Sequence, residues 1–417
     1  MDLKGKFRGF GWLTAVILIL LSSTGCVVNS PDGFDPGPTA TPLPAPQLNS
    51  LPTLSLDELN NISPEEPLPN SDVEVYVDGL DGPVAFAFSP DGRVFITEKG
   101  TGNVRVAIDR VLQPDPVLTL PVATLGEQGL IGIAIDPDFE NNHHIWVTHV
   151  LPPEENNGEK LNRVVRFTEE NNKATDVQVA YTSTNIIETD RHNIGNLAFG
   201  PDGYLYVSMG EGTLDYLANN LSDPRGKILR FAPTVPLTPA EDNPFHDGDG
   251  PTFDEIYAYG FRNPFDLTFD PISLQLLVTD NGPSCDDEVN LVQAGFDYGW
   301  KTDYVCRQDR GANFEAPENS RPPLLSWTPT NAPTGITVYT GDDFPEWYGD
   351  VFYCTFGNAL LHHAKMNDAR DGFVSHTTIN GMFCQIDVVT GPDGALYFLE
   401  GGGFEPGRIK RLYRMDQ

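Results

Sequence analysis

Arg191-His192-Asn193-Ile194-Gly195-Asn196-Leu197-Ala198-Phe199-Gly200-Pro201-Asp202-Gly203-Tyr204-Leu205-Tyr206-Val207-Ser208-Met209-Gly210-Glu211-Gly212 is the densest signal in the chain. Leu197-Ala198-Phe199 is a short apolar strand, and Tyr204-Leu205-Tyr206-Val207 has the aromatic and β-branched character that strands favour. Between them, Pro201-Asp202-Gly203 is a tight turn, with proline presetting φ and glycine taking the positive φ. The segment is therefore a hairpin, with His192 before its first strand and Glu211 after its second. Hairpin ends lie together, so the two side chains are expected as neighbours. A carboxylate beside an imidazole fixes the tautomer and raises basicity, which suits a general base. A surface histidine at a strand end is the plain alternative.

The hairpin recurs. Ser89-Pro90-Asp91-Gly92 leads Arg93-Val94-Phe95-Ile96, and Asp136-Pro137-Asp138-Phe139 leads His144-Ile145-Trp146-Val147. Asp270-Pro271 precedes Leu276-Leu277-Val278, Gly349-Asp350 precedes Val351-Phe352-Tyr353, and Gly391-Pro392-Asp393-Gly394 leads Ala395-Leu396-Tyr397-Phe398. The prolines at 90, 137, 201, 271 and 392 are 47, 64, 70 and 121 residues apart, and the last gap holds the weaker copy at 349–353. Strand-and-turn repeats at such spacing, without long amphipathic helices between them, predict an all-β, six-bladed β-propeller with four-stranded antiparallel blades. A two-sheet sandwich would not repeat one motif in this way. Loops of successive blades converge at one mouth of a propeller, so the polar residues flanking each repeat are the site candidates.

The N-terminal region reads differently. Lys4, Lys6 and Arg8 are followed by an apolar run, Trp12 to Leu21, and then by Ser23-Thr24-Gly25-Cys26. This order predicts a lipoprotein-type signal over residues 1–25 and lipidation of Cys26. Ser23 stands where leucine is usual, and an ordinary secretory signal is the alternative. Residues 26–70 are rich in Pro, Ser, Thr and Asn and predict a semi-extended tether, with one helical turn near 51–62. Residues 71–417 remain for the propeller. The expected location is the bacterial cell envelope, outside the cytoplasm, with membrane contact through the lipid anchor only.

The formal charge is −33, and removing Asp2, Lys4, Lys6 and Arg8 with the signal takes it to −35. So acidic a chain repels nucleic acid and anionic lipid head groups, while supplying carboxylates for cation sites. Beyond Cys26 four cysteines remain, Cys285, Cys306, Cys354 and Cys384. An even number in an exported chain predicts disulfides. Three connectivities are possible, and closeness in sequence favours Cys285–Cys306 with Cys354–Cys384. No Cys/His spacing suggests zinc.

Taken together the motifs resemble the glucose/sorbosone dehydrogenase family, soluble quinoproteins built on a six-bladed propeller. The similar stretches are Gly126-Glu127-Gln128-Gly129-Leu130-Ile131-Gly132, His192-Asn193 with its hairpin, and Gly226-Lys227-Ile228-Leu229-Arg230. Others are Glu255 to Pro264, Asp287-Glu288-Val289-Asn290-Leu291 with Tyr298-Gly299-Trp300, Ala332-Pro333-Thr334-Gly335, and the final Gly391-Pro392-Asp393-Gly394 hairpin. The resemblance implies pyrroloquinoline quinone (PQQ) at the channel mouth and Ca²⁺ against its quinone oxygens. It implies a sugar oxidised at its anomeric carbon to a lactone by hydride transfer to the quinone. It implies His192 as the base with Glu211 orienting it, Gln128 facing cofactor and substrate, and Arg262 with Asn263 binding the cofactor, Arg262 also touching the chemistry. The carbonyls of Gly282 and Pro283 are the implied Ca²⁺ ligands, and Glu288 with the carbonyl of Tyr298 a second, structural Ca²⁺ site. Hard carbonyl donors suit Ca²⁺, which acts as a Lewis acid, and arginine offers a planar fork to a carboxylate-rich cofactor. Trp327 is a candidate aromatic wall for sugar. Each side chain also has a structural reading: Arg262 in an ordinary ion pair, Asp286-Asp287-Glu288 as a solvated loop, Gln128 capping a turn, Trp327 in the core.

The chain departs from the family pattern in one respect. Active members carry a lysine on the fifth-blade strand and arginines before the last hairpin. Here these stretches read Cys354-Thr355-Phe356-Gly357-Asn358-Ala359 and Met382-Phe383-Cys384-Gln385-Ile386-Asp387-Val388. A tricarboxylate cofactor then lacks those cations unless Arg408 or Lys410 reaches across. This departure sustains a second expectation, a non-catalytic Ca²⁺-binding propeller that takes carbohydrate or protein. A Ca²⁺-dependent sugar-lactone hydrolase is a third. The sugar and the electron acceptor are not specified by the sequence.

Overall fold

The computed structural model describes residues 70–249, 252–311, 314–316 and 318–415. The signal, Cys26, the tether and the helical turn expected near 51–62 lie outside the described residues. Within them the chain forms six antiparallel sheets arranged as the blades of a propeller. Blade 1 comprises Pro83–Phe88, Val94–Glu98, Asn103–Ile108 and Val111–Leu112, and blade 2 Leu130–Ile135, His144–Leu151, Leu161–Glu170 and Lys173–Thr182. Blade 3 comprises Ile194–Phe199, Leu205–Met209, Lys227–Ala232 and Thr238–Pro239, with Ile256–Tyr259 also paired to Lys227–Ala232. Blade 4 is Pro264–Phe269, Leu276–Asp280, Asp287–Val292 and Leu325–Trp327, and blade 5 is Pro333–Val338, Val351–Thr355, Leu360–Met366 and Phe373–Phe383. Blade 6 takes three strands from the C-terminal end, Val388–Thr390, Leu396–Gly401 and Gly407–Arg414. Its fourth, Ser71–Leu80, comes from the N-terminal side and pairs with Gly407–Arg414. That pairing closes the ring.

The hairpin predicted around Pro201-Asp202-Gly203 forms as expected, with Leu197 opposite Val207. Both strands are longer than the sequence suggested, because Ile194 also pairs with Met209. The turn aspartate ties the hairpin to the rest of its blade in blades 3 and 6. Asp202 Oδ2 accepts hydrogen bonds from the Tyr206 hydroxyl (2.8 Å) and from Arg230 on the blade's third strand (2.9 Å). Asp393 does the same in blade 6 with the Tyr397 hydroxyl and Arg411. One carboxylate thus fixes the turn, the second strand and the third.

The cores lie between neighbouring blades. Trp146 and Val164 of blade 2 pack with Leu197, Val207 and Leu229 of blade 3, and equivalent apolar clusters fill the other gaps. The first strand of each blade lines the central channel. Both expected disulfides form, Cys285–Cys306 in blade 4 and Cys354–Cys384 beside blade 5. No helix among the described residues is long and apolar enough to cross a membrane.

Candidate active site

The loops at one mouth of the channel enclose a cleft of about 440 Å³. Its walls include Glu127, His192, Arg262, Asn263, Gly282 and Pro283. His192 sits at the entry to blade 3 with φ of 54°. Gly210 makes room for it, since a Cβ at 210 would meet the His192 backbone carbon at 2.6 Å. The predicted neighbours are in contact: His192 Nδ1 lies 2.8 Å from Glu211 Oε1, and both side chains are buried. Glu211 is itself held, because its Oε2 accepts the backbone N–H groups of Thr213 and Leu214. A carboxylate so fixed holds the proton on Nδ1 and leaves Nε2 as a bare acceptor.

Arg262 and Asn263 reach the cleft from the turn before blade 4. Their backbone N–H groups donate to the two oxygens of Asp280, at 3.1 and 2.7 Å. Asp280 is buried, and that burial, with the nearby Glu288 charge, pushes its carboxyl up to about 7. The Arg262 guanidinium donates from Nη1 to the carbonyls of Asn281 and Gly282, both at 2.9 Å. The Gly282–Pro283 turn is pinned by the Gly282 N–H to Asp287 Oδ1 bond (3.0 Å). Glycine is required there, since a Cβ would meet the Cys285 carbonyl at 1.9 Å. The other Asp287 oxygen accepts from the N–H groups of Asn331 and Ala332, tying the loop before blade 5 to the same wall.

Other sequence-derived assignments change. Gln128 does not line the cleft: it is 0% exposed, and its Nε2 donates to the Thr189 carbonyl at 2.7 Å. Gly126 and Gly129, both at positive φ, bound the turn, and it is Glu127 that lines the cleft. Glu127 Oε2 accepts from the His192 N–H (2.8 Å) and from Asn263 Nδ2 (3.3 Å), joining three loops. Trp327 is not a substrate wall. It is buried in the core between blades 4 and 5 and stacks on Tyr353 at 5.6 Å. Glu288 is taken by a cation already in the chain, Arg307, at 2.8 Å. Tyr298 is buried, stacked on Phe261, with its hydroxyl on the Leu291 carbonyl. An ion held by Glu288 and the Tyr298 carbonyl would therefore have to displace Arg307 from Glu288. Arg408 and Lys410 do not reach across either, because both face Glu400.

The sequence reading missed Lys99, Phe356 and Phe404, all on the cleft wall. Lys99 follows the second strand of blade 1, and Phe404 follows Gly401-Gly402-Gly403 in blade 6. Only ring closure brings those two blades together.

Residues 80–411 match the family described as Glucose / Sorbosone dehydrogenase. The chain belongs to this family. It is 30% identical over 337 residues to aldose sugar dehydrogenase YliI from Escherichia coli, covering 78% of this chain and 89% of that protein. It is 27% identical over 311 residues to quinoprotein glucose dehydrogenase B from Acinetobacter calcoaceticus, covering 68% and 63%. The crystal structure of the soluble aldose sugar dehydrogenase of E. coli in its apo-form superposes with a TM-score of 0.72 at 28% identity, covering 82% of this chain and 99% of that one. Membership of the glucose/sorbosone dehydrogenase family agrees with the six-bladed ring and with a cleft at its loop-bearing mouth.

Proposed function

We propose that this chain is a quinone-dependent aldose dehydrogenase, oxidising the anomeric carbon of a sugar to a lactone. The observation that carries this reading is the His192–Glu211 pair at the cleft, with Nε2 of His192 left as acceptor. Related dehydrogenases of sugars and a quinoprotein among the relatives support it. The cleft suits an acidic planar quinone. Its cations are Lys99, Arg191 and Arg262, and its flat apolar surfaces are the rings of Phe265, Phe356 and Phe404. PQQ, when bound, supplies the hydride acceptor. Arg262 and Asn263 would hold it on one side. The carbonyls of Gly282 and Pro283 offer hard oxygen donors for Ca²⁺. The Gly282 carbonyl now accepts from Arg262, so an ion there requires the guanidinium to turn away.

The chain's own residues then do the following. His192 Nε2 takes the proton from the anomeric hydroxyl. Glu211 holds the ring and stabilises the imidazolium that results. Glu127 fixes His192 through its backbone and Asn263 through its amide, so base and cofactor wall keep one spacing. We further propose that the protein works outside the cytoplasm, anchored through Cys26, on the order of basic residues, apolar run and cysteine at its N-terminal end. The test is dye-linked oxidation of a panel of aldoses by purified protein given PQQ and Ca²⁺. Turnover that requires both is expected. No turnover with any aldose, despite bound quinone, would overturn the reading.

A further inference from the structure

Lys99 is a cation on the cleft wall with no carboxylate in contact with it among the described residues. It is 6% exposed. Its backbone is fixed by its N–H to the Gly82 carbonyl (2.9 Å) and by its carbonyl, which accepts from the Leu130 N–H (3.1 Å). Its stem lies against Gly129, where a Cβ would meet Lys99 Cγ at 2.4 Å. The ammonium ends 4.2 Å from the centre of the Phe404 ring. Among the described residues its Nζ has no hydrogen bond and no ion pair. Glu127 is near enough to favour the charged form, but burial is the larger effect and lowers the ammonium below its usual range. One oxygen of Glu127 is already committed to His192 and Asn263.

An ammonium at the wall of a cleft, its stem buried and an aromatic face as its close partner, has donors left to give, and a carboxylate entering the cleft takes them. Arg262 enters the cleft from the turn before blade 4, across the ring from the blade 1 wall that carries Lys99. Blades 5 and 6 contribute Phe356 and Ile386 to the wall there. We propose that Lys99, backed by Phe404, is a carboxylate-binding residue of this cleft, the cation that blades 5 and 6 do not supply. The inference rests on the quinoprotein reading. The carboxylate belongs either to the quinone or to a sugar acid, and the two sources separate experimentally.

The test compares wild type, Lys99→Met and Lys99→Arg. PQQ binding is measured by calorimetry with Ca²⁺ and no sugar, alongside the melting temperature of the quinone-free protein. Methionine keeps the stem and removes the charge. If the quinone supplies the carboxylate, K99M weakens PQQ by about tenfold or more, K99R restores binding, and melting is unchanged. If a sugar acid supplies it, K99M binds PQQ as wild type but raises KM for glucuronate over glucose, with kcat held. Wild-type values for both in K99M would overturn the inference. Failure of wild type to bind PQQ would instead overturn the quinoprotein reading. Glucuronate titrated into the quinone-free wild type and K99M then decides Lys99: binding lost in K99M supports the role, and equal or absent binding overturns it.

Discussion

Glu211 decides which nitrogen of His192 carries the proton, and two backbone amides decide where Glu211 points. Removing the base by His192→Ala is expected to lower kcat by about 10²–10⁴-fold, with PQQ affinity retained, by steady-state dye reduction and calorimetry. Glu211→Gln should lower kcat as well, because an amide cannot stabilise the imidazolium. Unchanged turnover in both variants would remove His192 from the chemistry. This pair was legible in the sequence because a hairpin of known turn type brings its own ends together. Gln128 was not, because the choice between it and Glu127 depends on backbone angles at Gly126 and Gly129 that residue types do not reveal. Lys99 was hidden for another reason: a lysine after a strand reads as solvent-facing until a phenylalanine 305 positions away is known to sit over it.

At the scale of the element, the six channel-lining strands are stitched by side chains set at matching positions. Asn196 Oδ1 of blade 3 accepts from the Ile133 N–H of blade 2, and its Nδ2 donates to Asp266 of blade 4. Asp266 accepts from the Ile336 N–H of blade 5, and Asp387 beside blade 6 accepts from the Phe86 N–H of blade 1. Hydroxyls on the second strands add a further layer. Thr97, Thr148 and Thr279 each donate to a carbonyl on the next blade's channel strand. Glycine occupies the matching place where a neighbour's side chain needs the room. A Cβ on Gly335 would meet Asp387 Cα at 2.5 Å. Gly335→Ala should therefore cost about 1–3 kcal/mol, read from urea midpoints. A variant as stable as wild type would mean the strands can part freely. The repeat and its blades were legible from the turns, but this girdle was not. Its members are single polar residues in apolar strands, and their partners lie on other blades.

Burial gives the same girdle a pH dependence. It pushes the Asp266 carboxyl up to about 6, and burial with the Asp266 charge raises Asp387 well above the usual range. The folded chain keeps protons there that the unfolded chain releases. This contribution is fully present below the unfolded value of 3.8 and is lost as pH rises through about 6. For Asp266 the window spans about two pH units, or about 3 kcal/mol. His149 and His376, both pushed down to about 4 mainly by burial, act in the opposite direction, so the net curve of the wild type alone decides nothing. The informative quantity is the difference between Asp266→Asn and wild type. Asparagine cannot ionise, so wild type should lose stability relative to D266N between pH 4 and 7, by urea midpoints. A gap independent of pH would show that Asp266 ionises in the folded state as it does in water.

At the scale of the whole molecule, one strand pairing holds the ring shut. Ser71–Leu80 pairs with Gly407–Arg414 from Ser71 opposite Arg414 to Leu80 opposite Gly407. It buries Val77 and Leu80, and Glu74 pairs with Arg411. Neither disulfide crosses this joint, since one lies within blade 4 and the other beside blade 5. Without the strand, blade 6 keeps three strands and presents Gly407–Arg414 as an open edge, which invites pairing with other chains. A protein beginning at residue 82 should therefore melt well below one beginning at residue 70 and associate at micromolar concentration, by calorimetry and light scattering. The candidate site should fail with it. Lys99 stands on blade 1 and Phe404 on blade 6, so a loosened joint separates the ammonium from its aromatic support. PQQ binding should then be lost at temperatures where the remaining blades are still folded by circular dichroism. A truncated chain that melts as the longer one does, stays monomeric and binds PQQ equally would mean that the contacts between blades, and not the shared sheet, close the ring.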